Sequence, residues 1–157
     1  MANVEIERRF LTLNDDWRQA AGAPQVLHQG YLSVEKERAV RVRVADNQAW
    51  LTLKGWISDV RRSEFEYPIP VVDALAIMET MCPFRLKKHR YRVEYGGFVY
   101  EVDEFFGENA PLVVAEIELP HEDTPFAKPH WLGQEITADG RFTNAYLSRH
   151  PYGSWAL

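Results

Sequence analysis

The sequence predicts an α+β protein that is mainly β, a closed barrel of eight antiparallel strands with a few helices packed outside. Segments in which charged and apolar residues alternate follow one another along nearly the whole chain, and such alternation is typical of strands with two unlike faces. Short turn sequences separate many of them. The 157 residues contain no low-complexity segment or linker, so we expect a single domain over residues 1–157.

The strands are predicted from this alternation and from the turns between them. A Gly96-Gly97 pair flanked by Tyr95 and Phe98 is a typical hairpin signal. Successive strands joined by short turns favour an up-and-down barrel. The predicted strands are residues 3–11, 26–34, 38–45, 48–55, 61–69, 85–95, 98–106 and 112–120, with a short ninth near 134–137.

Three helices are predicted, and we expect them to cover the barrel rather than to carry chemistry. Asn14 is placed to cap a short helix that runs to Ala21, and residues 143–149 form another before Pro151. Residues 71–82 show an amphipathic pattern. The side chains predicted to share its apolar face are Val72, Leu75, Ile77, Met78 and Met81.

Composition excludes several classes of function. With 18 basic and 23 acidic residues the net charge is −5, which disfavours a nucleic-acid partner bound through a broad basic surface. The single cysteine, Cys82, excludes an intramolecular disulfide or a cysteine zinc cluster. We see no membrane-length apolar run and no signal-peptide pattern, and therefore expect a cytoplasmic protein without a membrane partner. Aromatic residues expected at the surface suggest a homodimer.

The charged residues fall into three sets. Glu5 and Glu7, on one face of the first strand with Arg9, lie about 7 Å apart and are able to bind one hard cation or to bracket two. A basic set can grip phosphate oxygens, through arginine forks above all. It comprises Arg41, Arg43, Lys54, Arg62, Lys88, Arg90 and Arg92. A late acidic set comprises Glu101, Asp103, Glu116, Glu118 and Glu135.

An isolated E-x-E pair or a single basic residue is more typical of a solvated strand face, and two arrangements of the barrel satisfy the pattern. Either the bore is apolar and the charges face water, or the charges face the bore and the helices cover apolar outer walls. In a closed barrel the first and eighth strands are often adjacent, which would gather four glutamates. Their repulsion amounts to several kcal/mol at an effective dielectric constant near 20, so metal ions or the arginines would have to offset it.

Nine motifs in sequence order resemble the CYTH domain, also called the triphosphate tunnel metalloenzyme family. The first, V-E-I-E-R-R-F over residues 4–10, resembles the family's E-x-E-x-K signature. The others are Q-G-Y-L at 29–32, V-R-V-R at 40–43, L-T-L-K at 51–54, R-S-E-F-E at 62–66, K-H-R-Y at 88–91, D-E-F-F-G at 103–107, A-E-I-E-L at 115–119 and E-I-T-A-D-G-R-F-T-N at 135–144.

The resemblance implies an ionic tunnel in which Mg²⁺ or Mn²⁺ acts on a linear triphosphate. It implies that Tyr31 lies near a tunnel mouth and that Glu64 is a weaker metal candidate. The implied metal ligands are Glu5, Glu7, Glu116, Glu118 and, more weakly, Asp103. The implied phosphate-binding residues are Arg41, Arg43, Lys54, Arg62, Lys88 and Arg90. The implied catalytic residues are Glu5, Glu7, Arg9 and Glu118.

Arg9 departs from the family pattern, because the signature has a lysine at this position and a guanidinium does not give up its proton. The sequence offers many groups for phosphates and no obvious pocket for a nucleobase. It therefore favours hydrolysis of inorganic tripolyphosphate to pyrophosphate and phosphate, with nucleoside triphosphates as weaker substrates. The alternatives are a thiamine triphosphatase, a class IV-type adenylate cyclase, or a module that binds polyphosphate or nucleotide without turnover.

Overall fold

The computed structural model describes residues 3–155, and every predicted strand is present with its ends within two residues of those expected. The strands are β1 (Val4–Thr12), β2 (Gln25–Glu35), β3 (Arg38–Ala45), β4 (Gln48–Trp56), β5 (Arg61–Ile69), β6 (Phe84–Tyr95), β7 (Phe98–Phe105), β8 (Val113–Glu118) and β9 (Leu132–Glu135). The helices are α1 (Val71–Met81) and α2 (Asn144–Arg149).

Eight of the strands close into an antiparallel barrel, as predicted. The order is β5-β4-β3-β2-β6-β7-β8-β1, and β1 closes the ring by pairing with β5 as well as β8. Residues Val4 to Ile6 pair with β5, whereas Glu7 to Leu11 pair with β8. Further along, Phe10 and Thr12 pair with β9. The first strand therefore holds the two halves of the barrel together.

The up-and-down connectivity was a wrong prediction. In the sheet that residues 3–155 form, β2 lies between β3 and β6 rather than beside β1. The chain crosses from β1 to β2 and again, through α1, from β5 to β6. Two meanders, β2 to β5 and β6 to β8, are thus joined by β1. The predicted Gly96-Gly97 hairpin is present, with φ values of 60° and 83° that suit glycine.

The outer wall of β1 and β6 to β8 is apolar and covered. Phe10, Trp17, Tyr100 and Ile117 are at most 1% exposed there, in a cluster that the segment around Trp131 helps to close. Fully burying such a side chain stabilises the fold by roughly 1.5–3 kcal/mol. Because successive strand residues point to opposite faces, this packing directs the alternate, charged residues into the bore.

Helix α1 covers the outside of β2 to β4 with only part of the predicted face, since Met78 and Ile77 pack there and the other predicted residues do not. Ala74 and Met78 are the buried side chains, whereas Val72 is 73% and Met81 60% exposed. The helix packs very close to the sheet at Gly30, where an added Cβ would lie 2.8 Å from the Met78 Cγ. Because the helix lies so close to the sheet, only a narrow row of residues that includes the small Ala74 contacts it. The spacing of apolar residues in the sequence did not reveal this row.

Of the two other predicted helices, the second is present as α2, within one residue of the predicted range, and the first differs from expectation. The first is a single 3₁₀ turn over Asp16–Gln19, although the Asn14 Oδ1 does accept a hydrogen bond from the Asp16 N–H at 2.9 Å. Helix α2 lies over one end of the barrel, where Leu147 joins an apolar cluster with Tyr31. Among residues 3–155 no helix is long and apolar enough to cross a membrane.

Candidate active site

The bore is ionic, so the arrangement with an apolar lumen is excluded. It encloses a cavity of about 240 Å³. Every implied metal, phosphate-binding or catalytic residue except Asp103 lines this cavity, and Asp103 lies directly behind its wall. Arg92 and Glu135, which the sequence placed in the basic and late acidic sets, are not in the lining, since Arg92 is 69% exposed and Glu135 pairs with Arg8. The charged residues of the lining are Glu5, Glu7, Arg9, Lys36, Arg41, Arg43, Lys54, Arg62, Glu64, Glu66, Lys88, Arg90, Glu101, Glu116 and Glu118. Tyr31 lines it too, although it is only 3% exposed.

The four glutamates of the two E-x-E motifs meet, as the adjacency of β1 and β8 predicts. Glu7 lies opposite Glu118 in the ladder, and Glu116 lies opposite Arg9. Burial, together with the negative charges of Glu5 and Glu64, raises the pKa of Glu118 above its ordinary value. A carboxylate held among other carboxylates in this way marks a region that attracts cations.

Basic side chains offset part of this negative charge. The Lys54 Nζ lies 2.8 Å from the Glu5 Oε1 and 3.2 Å from the Glu64 Oε2, and Arg62 approaches Glu7 at 3.5 Å. Burial pushes the pKa of Lys54 down, but the nearby carboxylates outweigh it and raise that pKa overall. Lys54 is therefore charged, and it holds the two acids from β1 and β5 together.

Asp103 is the centre of a buried ionic network. The Lys88 Nζ donates to its Oδ2 at 2.6 Å, while the Arg90 Nε and Nη2 donate to Oδ1 and Oδ2 at 2.8 and 2.9 Å. Burial would raise the pKa of Asp103, but these two cations outweigh it and hold that pKa well below its usual range. Since both its oxygens are engaged, the contacts favour a role in positioning Lys88 and Arg90 over a role as a metal ligand.

Two residues of this network carried no role in the sequence analysis. The Lys88 Nζ also donates to the Asn144 Oδ1 at 2.8 Å, which ties α2 to the tunnel. The Gln29 Oε1, fully buried, accepts from the Arg43 Nε at 2.9 Å. Gln29 begins the motif at 29–32 and Asn144 ends the motif at 135–144. A polar side chain within an otherwise packed segment was the sequence signal that could have identified each of them. Thr143 caps α2 by accepting from the Tyr146 N–H, and Asn144 borders the bore.

The arginines of the bore include donors that the protein itself does not satisfy. Across residues 3–155, the Nε atoms of Arg9 and Arg41 are buried without a hydrogen-bond partner. Burial, with Arg41 and Arg90 nearby, lowers the pKa of Arg43 to about 9. Buried polar groups normally have partners, so orphaned donors among mutually repelling cations indicate a site for an anion.

Arg9 occupies the position of the signature lysine and is held by the segment after β9. Its backbone N–H donates to the Thr137 Oγ1 at 3.0 Å, and its Nη2 lies 3.4 Å from the Thr137 carbonyl oxygen. Burial lowers the pKa of Arg9 against the opposing charge of Glu7. A guanidinium at this place supplies positive charge and directed donors, but no base.

The carboxylates have the right chemistry for a hard divalent cation, since Mg²⁺ and Mn²⁺ prefer oxygen ligands. Within the described part of the chain, however, no three His, Cys, Asp or Glu side chains converge closely enough to form a metal site as they stand. Glu5 and Glu7 are turned toward Lys54 and Arg62 instead. The metal-binding roles thus stay predictions.

A closed barrel whose bore combines clustered carboxylates with orphaned arginine donors defines a tunnel-type domain for a polyanion. The chain belongs to the CYTH domain family, whose sequence profile matches residues 3–144, and this confirms the resemblance.

An inorganic triphosphatase from Acetivibrio thermocellus is 44% identical over 149 residues, which cover 94% of this chain and 95% of that protein. One from Nitrosomonas europaea is 32% identical over 149 residues, covering 92% and 97%. The crystal structure of the inorganic triphosphatase NE1496 is similar with a TM-score of 0.65 and 31% identity, over 92% of this chain and 93% of that one.

Proposed function

We propose that this protein hydrolyses inorganic tripolyphosphate to pyrophosphate and orthophosphate with the help of a divalent metal ion, and that nucleoside triphosphates are weaker substrates. The observation that carries the proposal is the pairing, within one enclosed bore, of orphaned arginine donors with a cluster of glutamates. The two relatives that are inorganic triphosphatases, similar over almost their full length, support it.

The basic groups bind and orient the phosphates. Arg41 and Arg43 lie side by side on β3, and Lys88 and Arg90 face the bore from β6. Arginine forks bind phosphate oxygens bidentately, and charge-assisted hydrogen bonds in a protein-walled bore are stronger than neutral ones. The same cations stabilise the negative charge that builds on the leaving pyrophosphate as the terminal bond breaks.

The carboxylates that would hold Mg²⁺ or Mn²⁺ are Glu5, Glu7, Glu116 and Glu118. When bound, the metal would neutralise phosphate charge and acidify a water molecule. Lys54 and Arg62, which pair with Glu5 and Glu7, can turn to the incoming phosphates and so leave these glutamates for the metal. Asp103 is left out of the set, because it is fully buried and both its oxygens are engaged by Lys88 and Arg90, whereas Glu64 stays a weaker candidate.

A proton must leave the attacking water as its oxygen bonds to the terminal phosphorus. Arg9 is charged and cannot accept it. A carboxylate oxygen of Glu118 is better suited, because a carboxylate can accept a proton and this side chain lines the bore opposite Glu7. We assign Arg9 instead to the terminal phosphoryl group, toward which its unpartnered Nε can donate.

Phosphate release from tripolyphosphate is the direct test of this proposal. With Mg²⁺ or Mn²⁺ we expect turnover, and with EDTA a loss of about a hundredfold or more, since the metal supplies several kcal/mol of charge stabilisation. Parallel assays with ATP and thiamine triphosphate, and chromatography for cyclic AMP, separate the enzyme alternatives. Equal rates with and without EDTA would contradict the metal requirement.

Arg41→Ala is expected to raise the KM for tripolyphosphate by roughly tenfold with a smaller change in kcat, because a charge-assisted contact to phosphate is lost. Its buried Nε has no partner within residues 3–155, so little of the fold depends on the guanidinium. Arg38→Ala is the matched control. Arg38 lies on the same strand, is exposed and pairs with Glu35 outside the bore. Steady-state kinetics of both variants decide, and an unchanged KM for Arg41→Ala would remove this residue from the substrate site.

The alternative of a binding module without turnover rests on Arg9, which replaces the signature lysine. Such a module would bind tripolyphosphate through the same cations. Calorimetry that shows tight binding, together with no phosphate release under Mg²⁺ or Mn²⁺, would favour the module over the enzyme. Restoring the signature through Arg9→Lys would then be expected to produce turnover.

A further inference from the structure

A second chamber adjoins the tunnel at the end covered by α2. It has a volume of about 540 Å³ and lies between α2, the turn after β2 that carries Lys36, the end of β4 at Trp56, and the connection from β4 to β5 that carries Asp59. It shares the cations Arg9, Lys36 and Arg62 with the tunnel lining, so these side chains stand at the junction of the two spaces. We call it the outer chamber.

The outer chamber differs from the tunnel in its charge. Seven glutamates line the tunnel, whereas Asp59 is the single carboxylate residue in the lining described for the outer chamber. Its cationic residues are Arg9, Lys36, Arg62, Arg141 and Arg149. A site for a metal-bound phosphate needs carboxylates for the metal and cations for the phosphate, and the tunnel has both. A basic chamber with so few carboxylates favours an anion without a metal.

Arg9, Lys36 and Arg149 form no ion pair among the described residues, whereas Arg62 lies 3.5 Å from a Glu7 oxygen. Lys36 lies 4.2 Å from the centre of the Trp56 ring and Arg149 5.8 Å from that of Phe84, so each faces an aromatic ring. Arg141 pairs with Asp139 at an exposed position, where an ion pair contributes little. The charge of these side chains remains available to a ligand.

Arg9 gives the outer chamber a buried polar anchor. The residue is 3% exposed, and its Nε is buried without a hydrogen-bond partner among the described residues. Because a buried donor without a partner is unfavourable, an oxyanion at this junction would satisfy it while also reaching Arg62. One N–H serves one acceptor well, so the terminal phosphoryl group in the tunnel and an anion in the outer chamber would use this donor in turn. The combination of a basic chamber with an unsatisfied, immobilised guanidinium is what a small oxyanion requires.

We propose that the outer chamber is a second anion site, which binds orthophosphate or pyrophosphate as a free oxyanion without a divalent metal. Its position beside the tunnel makes it a place through which a product passes after hydrolysis. The identification of the ligand as a product depends on the proposed function, whereas the anion site itself depends on the chamber's charge and on Arg9.

Titration calorimetry with the full chain tests the site without turnover. Orthophosphate and pyrophosphate are added separately in EDTA and low salt, which limits screening. We expect the wild type to bind at least one of them, and Arg149→Gln or Arg141→Gln to bind it about tenfold more weakly, because each removes a charge-assisted contact. Neither residue lines the tunnel. Whichever anion binds in this way identifies the product that the chamber takes.

Two further variants separate the outer chamber from the tunnel. Lys87→Gln removes one positive charge from an exposed position on β6 outside both linings, and we expect it to bind like the wild type. Arg41→Ala alters the tunnel and should leave this affinity within about twofold of the wild-type value. The site is overturned if the wild type binds neither anion in EDTA, if Arg41→Ala abolishes all binding, or if Arg141→Gln and Arg149→Gln both bind like the wild type. A protein that binds in this pattern but hydrolyses nothing would refute the proposed function alone.

Discussion

Glu5→Gln is expected to lower kcat for tripolyphosphate by about a hundredfold or more while the barrel stays folded. The substitution removes one negative charge from the glutamate cluster, and with it a ligand that a divalent cation would need. Little of the fold should change, because a glutamine oxygen can still accept the hydrogen bond that the Lys54 Nζ donates at 2.8 Å. Lys54 also keeps Glu64 at 3.2 Å, so it is not left without a negative partner.

Glu104→Gln is the matched control for this prediction. Glu104 pairs with Arg18 at 2.7 Å and lies outside the tunnel lining, so the same change breaks a comparable ion pair away from the chemistry. Its kcat should equal that of the wild type. Phosphate release and thermal melts on both variants provide the measurement. If Glu5→Gln keeps full activity at saturating metal, or if both variants lose it equally, Glu5 does not hold the metal.

The faces of the strands were predictable from the sequence because a strand has a period of two. Once Phe10 and Ile117 are packed on the outside, Arg9 and Glu116 must point inward. The meeting of Glu7 with Glu118 followed from the expectation that the first and eighth strands are adjacent. Alternation together with closure thus placed almost all the charged residues of the bore.

The order of the strands was not predictable in the same way, because alternation is identical whichever strands are neighbours. The prediction of an up-and-down barrel used the short turns alone and therefore missed that the second barrel neighbour of β1 is β5 rather than β2. The position of α2 depends on how Leu147 packs over the barrel end, which a six-residue segment does not encode in its periodicity. Asn144 was missed as a consequence.

The sequence pattern also could not predict how deep within the bore each charged residue lies. Asp103 and Glu101 share one face of β7, yet Asp103 is fully buried behind Lys88 and Arg90, whereas the Glu101 side chain is 30% exposed. How far along the axis each residue falls depends on the stagger of eight strands, which only closure fixes. Asp103 was assigned to the metal ligands because its side chain lies on the inward face of its strand. The sequence carries no information on how deep in the bore that side chain lies.

Asp103→Asn is expected to destabilise the protein by about 3–5 kcal/mol, because it leaves the buried Lys88 without its carboxylate and leaves Arg90 only the more distant Glu101 and Glu116. For a chain of this size the melting temperature should fall by about 6–20 °C. Urea unfolding measures the loss directly. Since Asp103 also orients Arg90, we expect the folded variant to have a raised KM for tripolyphosphate.

The response of Asp103→Asn to metal separates the two roles that have been considered for this residue. A metal ligand can be replaced at a cost in metal affinity, so high Mg²⁺ would restore activity and the metal-free protein would keep its stability. A positioning residue behaves in the opposite way, because the cost lies in the unpaired cations, and metal cannot repair it. Burial of both Asp103 oxygens under Lys88 and Arg90 predicts the second result, namely lowered stability in EDTA and no rescue by Mg²⁺. Unfolding curves with EDTA and with Mg²⁺, beside those of the wild type, distinguish the two outcomes.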